Sequence, residues 1–384
     1  MPESIAYGKQ SISERDVEAV VQVLRSDFLT QGPIVPAFEK AVSEKCNAQY
    51  AVAVNSATSA LHIACLALSV GVGDSVWTTP NTFVASANCA RYCGASVDFV
   101  DIDPDTWCLS VEKLRHKLEH HQSSGLLIPK VVIPVHLSGQ SCNMQAIYDL
   151  GQQYGFKIIE DASHAIGGTY QNKPIGNCRY SDITIFSFHP VKIITTGEGG
   201  LALTNDSDVY EIMKLLRSHG ITRNPKYLKH QTEAPWYYEQ LELGFNYRMT
   251  DIHAALGLSQ LERLDEFVKQ RNELAQNYDE AFTDDPIQRQ VLPNETYSAR
   301  HLYIIRVPKH QHLNLFKTFR SEGIGVNLHY IPVHLQPYYR KLGFQEGDFL
   351  EAEQYGKEAI TLPLYPDLTG TEQDYVISTL RNFI

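Results

Sequence analysis

The stretch Ile158-Ile159-Glu160-Asp161-Ala162-Ser163-His164-Ala165 runs from an apolar pair through two acids into small and polar residues. A short apolar run that stops at an acid reads as a buried strand delivering a carboxylate to the end of a sheet. In an open α/β sheet, that end faces the crevice where ligands bind. Two readings of Asp161 stand on this stretch alone: a carboxylate aimed at a ligand, or an N-cap for a following helix, where Asp is favoured.

Outward from this strand, short apolar runs alternate with amphipathic ones, the pattern of a parallel sheet covered by helices. Seven strands are expected: Tyr50 to Val54, Ser75 to Thr79, Ser96 to Ile102, Pro129 to His136, Lys157 to Asp161, Ile183 to His189 and Gly200 to Asn205. Helices are expected between them, near Thr58 to Leu68, Thr82 to Cys93, Val111 to His121, Asn143 to Tyr154 and Asp208 to Ser218. A further helix, Ser13 to Ser26, opens with the capping pattern Ser13-x-x-Asp16, and Gly155 suits a left-handed helix end. Beyond about residue 260 the pattern changes. A long charged helix from Leu261 to Phe282 leads to strands near Leu302 to Val307 and Gly325 to Tyr330, with helices at Leu313 to Glu322 and Thr371 to Asn382. The expected organisation is therefore an N-terminal arm and large domain over residues 1–255 and a smaller α+β domain over 256–384. Asn224 to Glu242, rich in Pro and aromatic residues, reads as a long ordered loop.

Composition narrows the function classes. A formal charge of −11 speaks against a broad nucleic-acid footprint. No stretch of about eighteen apolar residues could span a bilayer, and Met1 to Gln10 lacks the pattern of a secretion signal. A cytoplasmic enzyme is expected, with no membrane partner. The 7 cysteines include no C-x-x-C pair, which supports neither a disulfide framework nor a zinc ribbon. Cys89 and Cys93 read as core residues, and His116 and His120 as part of a solvated helix face. The run Val70-Gly71-Val72-Gly73-Asp74 lacks the third glycine of a dinucleotide fingerprint and precedes a strand.

The second decisive motif is Ser187-Phe188-His189-Pro190-Val191-Lys192-Ile193-Ile194-Thr195-Thr196-Gly197-Glu198-Gly199-Gly200. Desolvation by its apolar neighbours lowers the pKa of Lys192 and leaves an amine free to attack a carbonyl. Asp161 then acquires a matching task, because a carboxylate beside a pyridine nitrogen keeps it protonated and electron-withdrawing.

With these motifs stand Leu29-Thr30-Gln31-Gly32, Asn55-Ser56-Ala57-Thr58-Ser59-Ala60-Leu61, Thr79-Pro80 with Thr82-Phe83-Val84-Ala85, and Gly244-Phe245-Asn246-Tyr247-Arg248-Met249. Across nearly its whole length the chain resembles the DegT-type nucleotide-sugar aminotransferases, fold-type-I pyridoxal phosphate (PLP) enzymes related to aspartate aminotransferase. The resemblance implies an α/β fold with a seven-stranded, mostly parallel sheet and a small C-terminal domain. It makes Lys192 the Schiff-base lysine and Asp161 the partner of the ring nitrogen. Ala57, Thr58 and Ser187 become contacts of the cofactor phosphate, Phe83 the stacking aromatic and His164 a neighbour of the phenolic oxygen. Asn246 becomes a contact that crosses a homodimer interface, so that the two active sites are shared.

For the substrate, the resemblance points to Tyr7, to Asp27, Phe28, Leu29 and Thr30, and to Leu328, His329 and Tyr330, with His334, Tyr338 and Tyr339 extending that wall. The reaction implied is a two-step transfer of an amino group from L-glutamate to a nucleotide-linked keto-sugar. The nearest subfamily makes UDP-4-amino-4,6-dideoxy-N-acetyl-β-L-altrosamine for pseudaminic acid. A relative acting on another UDP-, GDP- or dTDP-linked keto-sugar, and a non-catalytic regulator on the same fold, are the alternatives.

Overall fold

The computed structural model of the chain describes residues 4–230, 232 and 234–384. Its main sheet contains β1 (Tyr50–Val54), β2 (Ser75–Thr78), β3 (Ser96–Phe99), β4 (Val131–Ile133), β5 (Lys157–Asp161), β6 (Ile183–Ser187) and β7 (Gly200–Thr204). These seven strands lie in the order β1-β7-β6-β5-β4-β2-β3. β7 is antiparallel to both neighbours, and every other pairing is parallel. All seven fall within the strands read from sequence, several of them shorter, as at Val131–Ile133 within the expected Pro129 to His136. β6 and β7 are buried at every position, which explains why they are nearly continuous in apolar residues rather than alternating.

The period of two appears in the packing. Val52 and Val54 of β1 join a core with Ala60, Leu61 and Ala64, whereas Ala51 and Ala53 join one with Phe38 and Val42. Residues 60–64 belong to helix α3 (Ala57–Ala67), and residues 38–42 to α2 (Ile34–Cys46), which follows α1 (Glu14–Leu24). The capping box Ser13–Asp16 starts α1 as expected. Helices α4 (Ala85–Tyr92), α5 (Val111–Ser123), α6 (Met144–Tyr154) and α7 (Ser207–Arg217) complete the large layer. Gly155 ends α6 at φ +80°.

The smaller sheet contains β8 (Gln288–Arg289), β9 (Tyr303–Arg306) and β10 (Ala359–Leu362), in that order and antiparallel. It shares a core with α9 (Leu264–Ala281), α10 (Lys309–Ser321) and the last helix (Gly370–Arg381). Among the described residues no helix is long and apolar enough to cross a membrane.

Four expectations need correction or addition. The helix expected over Leu261 to Phe282 is α9, Leu264–Ala281, and a separate helix that was not expected, α8 (Asp251–Leu261), precedes it. No strand forms over Gly325 to Tyr330; its backbone makes one isolated bridge, Asn327 to Thr361, and otherwise lines a cavity. Helix α2 was not expected, since Pro36 interrupts its pattern, yet Pro36 sits in the first turn, where the missing N–H is harmless. The loop at 224–242 is largely irregular but its end pairs as Ile221–Thr222 with Glu239–Gln240. Gln231 and Glu233 of that loop, and Glu3 of the N-terminal arm, lie outside the described residues.

Candidate active site

Strand register gathers the site. Gly200 at the start of β7 pairs with Val54 at the end of β1 and with Ser187 at the end of β6. The turn leaving β1 and the Ser187 side chain are thereby brought to one edge. A Cβ on Gly200 would lie 2.4 Å from the Ala57 nitrogen, so only glycine allows β7 so close to that turn. Ser56 caps α3 by accepting from the Ser59 N–H at 3.1 Å. Among the described residues the N–H groups of Ala57 and Thr58 and the hydroxyls of Thr58 and Ser187 have no hydrogen-bond partner. Free N–H groups at a helix start, flanked by two free hydroxyls, form a cradle for a phosphate.

Asp161 ends β5, and no helix starts behind it, so the cap reading of its carboxylate is not realised. Its Oδ1 accepts from the Ser163 N–H at 3.1 Å and the Ser163 hydroxyl at 2.6 Å, and Oδ2 accepts from Ser86 at 2.6 Å. These neutral donors hold the carboxylate in place without cancelling its charge. Lys192 faces the same cavity, and among the described residues its Nζ makes no hydrogen bond or ion pair. Burial pulls its pKa down to about 8, against the opposing attraction of Asp161. A buried carboxylate with no ion-pair partner among the described residues and an uncommitted amine are what pyridoxal phosphate requires of its ring nitrogen and aldehyde. The residues present fit that cofactor.

His164 is fixed from two sides. Its Nδ1 accepts from the Ser138 N–H at 3.2 Å, and burial, with Lys192 second, holds its pKa well below the usual range. The neutral ring therefore carries its proton on Nε2, which donates to the Tyr330 hydroxyl at 3.1 Å. The wall from the small domain is ordered by longer connections. His329 Nδ1 lies 2.8 Å from the Thr361 hydroxyl, and the Tyr7 ring sits 5.3 Å from that of His329. A Cβ on Gly325 would approach the Ile5 oxygen to 2.8 Å, so this glycine admits the N-terminal arm carrying Tyr7.

The profile of the DegT/DnrJ/EryC1/StrS aminotransferase family matches residues 10–381. The chain belongs to that family. It is 36% identical over 386 residues, covering 99% of this chain and 97% of the other, to a Campylobacter jejuni protein named UDP-4-amino-4,6-dideoxy-N-acetyl-beta-L-altrosamine transaminase. It is equally 36% identical over 387 residues, with 99% and 97% covered, to a spore coat polysaccharide biosynthesis protein of Bacillus subtilis. Among solved structures, Helicobacter pylori PseC, an aminotransferase involved in the biosynthesis of pseudoaminic acid, superposes with a TM-score of 0.89 at 31% identity over 99% of both chains. The Streptococcus pneumoniae protein Spr1654 in its PMP form also gives 0.89, at 30% identity over 99% of this chain and 97% of that one; it was solved in PLP and apo forms as well.

This DegT-family chain is therefore a PLP-dependent sugar aminotransferase with a fold-type-I architecture, and the reading as a non-catalytic regulator falls away. One cavity of ≈ 760 Å³ brings together Ala57, Thr58, Phe83, Asp161, His164, Ser187 and Lys192 with Tyr7, Leu328, His329 and Tyr330. Phe83 is 57% exposed beside this cavity rather than packed in a core.

Eight of the residues singled out lie elsewhere in the chain. Asp27, Phe28, Leu29 and Thr30 are exposed, and the segment is tied to the start of α8 by the Asp251 N–H donating to the Leu29 oxygen at 3.0 Å. Asn246 is exposed and bridges Ser218. His334 is fully buried and pairs with Glu353 at 3.0 Å. Tyr339 donates to Asn88 at 2.6 Å and exposed Tyr338 lies near Arg91, so neither extends the wall.

The sequence reading missed Ser86, Ser138 and His301. A signal existed for Ser86, since Thr82 and Ser86 are one turn apart and their hydroxyls meet at 2.9 Å. Ser138 and His301 had none, because tertiary packing alone brings the Ser138 N–H to His164 and His301 to the cavity.

Proposed function

We propose that this aminotransferase moves the amino group of L-glutamate to C4 of a UDP-linked 4-keto-6-deoxy-N-acetylhexosamine, giving UDP-4-amino-4,6-dideoxy-N-acetyl-β-L-altrosamine for pseudaminic acid synthesis. The observation that carries this reading is the 36% identity, spread over 99% of the chain, to a transaminase named for that product. The equal identity to a spore coat polysaccharide protein favours, as second reading, another nucleotide-linked keto-sugar.

The chemistry supplied by bound pyridoxal phosphate is storage of the amino group and withdrawal of electrons from a carbanion. In the proposed mechanism the chain's own groups do the rest. The Ala57 and Thr58 N–H groups, with the Thr58 and Ser187 hydroxyls, bind the phosphate. Asp161, held by Ser86 and Ser163, keeps a proton on the ring nitrogen. Phe83 covers one ring face. Lys192 Nζ, once free, takes the proton from the donor's α-carbon and returns one to the sugar carbon that receives the amine. Its depressed pKa suits both tasks near neutral pH.

To test the substrate, pyridoxamine-loaded enzyme is offered a panel of nucleotide keto-sugars, and recovery of the aldehyde form's absorption is followed. The UDP-4-keto-6-deoxy-N-acetylhexosamine should react fastest; faster reaction with a GDP or dTDP sugar overturns the assignment.

The working unit in this proposal is a homodimer with shared sites, in which exposed Asn246 serves the partner's cofactor phosphate. Mixing inactive Asn246→Asp and Lys192→Ala subunits should restore roughly one quarter of wild-type activity, since about half of freely exchanged dimers are mixed and each holds one intact site. Mixed dimers without activity would assign Asn246 another role. A cytoplasmic location fits the same reading, because all the cysteines are free thiols, as a reducing compartment would keep them.

A further inference from the structure

The cavity must accept two different substrates in turn. One, the amino donor, carries a carboxylate on the carbon that reacts; the other, a keto-sugar, carries none there. No arginine among the described residues lines the cavity, and its only lysine is Lys192, whose amine is committed to chemistry. Within this chain a donor carboxylate is therefore met by neutral hydrogen-bond donors or left unpaired, and an unpaired buried charge is costly.

The ring nitrogens in this wall are mostly engaged. His164 uses both, on Ser138 and Tyr330. His329 faces Thr361 with Nδ1 and Asn327 with Nε2, at 2.8 and 3.5 Å. His301 is different: it lines the cavity at 3% exposure, and neither ring nitrogen has a hydrogen-bond partner among the described residues. Its Nδ1 is sealed from solvent, so the nitrogen left to meet a ligand in the cavity is Nε2. A buried imidazole with no protein partner is rare in folded proteins and asks for an explanation, of which a ligand on Nε2 is one.

The surroundings of His301 favour an anion. Its ring centroid is 4.5 Å from that of His164, which in turn donates to the Tyr330 oxygen and so leaves the Tyr330 O–H proton free to point elsewhere. Behind it, Arg271 is 1% exposed and donates to the carbonyl oxygens of His301 at 3.2 Å and Leu364 at 2.8 Å, with no carboxylate partner among the described residues. A positive charge uncancelled by any acid thus sits behind the imidazole.

We propose that the His301 imidazole and the Tyr330 hydroxyl together bind the α-carboxylate of the amino donor. This pair is a two-donor, uncharged site that serves the first half-reaction and stands idle toward the sugar. An uncharged site has a functional logic here: a fixed guanidinium would hold the carboxylate more strongly, but it would also remain as an unpaired charge when a sugar occupies the same space. The inference rests on the aminotransferase reading of the cavity and adds to it the residue that distinguishes the two substrates.

The test separates the half-reactions. Conversion of the PLP form to the PMP form is followed spectroscopically with L-glutamate and with 4-aminobutyrate, which is glutamate without its α-carboxylate. In His301→Phe the apparent KM for L-glutamate should rise by about 10- to 100-fold, the loss expected for a charge-assisted hydrogen bond. The response to 4-aminobutyrate and the KM for the keto-sugar should stay within about threefold of wild type, the scale of ordinary context effects. His301→Gln, which keeps an N–H donor, should recover part of the loss. Cofactor affinity, measured by fluorescence titration, should not change.

An unchanged KM for L-glutamate overturns the proposal. So does an equal loss toward 4-aminobutyrate or the sugar, or a parallel loss of cofactor affinity, each of which would make His301 a structural residue. If His301→Phe fails to fold, Tyr330→Phe gives the same contrast between the two donors. If wild-type enzyme ignores L-glutamate, the donor assignment fails separately, and the comparison is made between the amino acid that does react and its decarboxylated amine.

Discussion

The sheet edge of the cavity and the wall facing it differ in how their polar groups are committed. At the sheet edge, the residues that would act on a cofactor are open: Thr58, Ser187 and Lys192 make no side-chain hydrogen bonds among the described residues, while the supporting Asp161 is held by Ser86 and Ser163. On the opposite wall most polar groups bind each other. His164 and Tyr330 are 166 positions apart, and His329 and Thr361 are 32 apart. A site built along strand ends inherits its geometry from the sheet. A wall assembled from distant segments has to fix its side chains through mutual hydrogen bonds, and His301 is the member left unpaired.

This contrast can be broken most directly at the sheet edge. Lys192→Ala should lower turnover by about a thousandfold or more, because it removes both the proposed attachment point and the proposed proton carrier. Steady-state and single-turnover assays, together with loss of the lysine-linked cofactor absorption, check this, and an active variant would remove Lys192 from the mechanism. Asp161→Asn removes only a charge. It should cost about a hundredfold or more in turnover with cofactor saturating, since weakening the electron sink raises the barrier by several kcal/mol; a near-normal rate would reduce Asp161 to a structural role.

Smaller effects sharpen the comparison. Thr58→Ala and Ser187→Ala should each weaken cofactor binding by about tenfold, as read by equilibrium titration, with little change in turnover once cofactor saturates. The same hydroxyl removed from the opposite wall, in Tyr330→Phe, should leave cofactor affinity nearly unchanged.

The smallest expected effect is on stability. The Lys192 pKa falls from 10.5 to about 8 in the fold, so between those values the unfolded chain binds more protons and wild-type stability rises with pH. Below about pH 8 the ammonium is charged in both states and its desolvation cost is felt in full. Cofactor-free Lys192→Met should therefore melt above wild type at pH 7, and the gap should close as pH rises from 8 toward 10.5. Thermal scans across that range decide it, and a gap that is constant or widens would show that Lys192 is not desolvated.

How much was legible in the sequence follows the same division. The seven strands, the turn at Asn55 to Thr58, Asp161 and Lys192 were readable because strand periodicity, glycine placement and a lysine in an apolar loop are local signals. Gly200 could be read as part of the Lys192 motif, but its reason, the close approach to Ala57, appears only in the register of β7. The small-domain wall was half readable. Leu328, His329 and Tyr330 do reach the cavity, although no regular strand carries them there. His334 and Tyr339 carry the same residue types a few positions on, and instead turn inward to Glu353 and Asn88. Ser138 stands behind His164 on a turn, and His301 enters the cavity two residues before β9, neither with a local pattern to mark it. Asp27 to Thr30 and Asn246 sit on the outer surface of this chain, and only the family resemblance, not a local pattern, marks them.

The arm that carries Tyr7 has a consequence for the order in which the protein comes into being. Ile5 is anchored beside Ile324, and the Tyr7 oxygen accepts from the Leu364 N–H at 3.1 Å. During synthesis the arm is made well before the segments it docks against. The large domain, with Lys192 and Asp161, can fold while the ribosome is still at work. The wall that closes over them cannot. Until β10 and its neighbours appear, the reactive amine would stand in a trough open to the surrounding solution, and the arm would wait for segments made long after it.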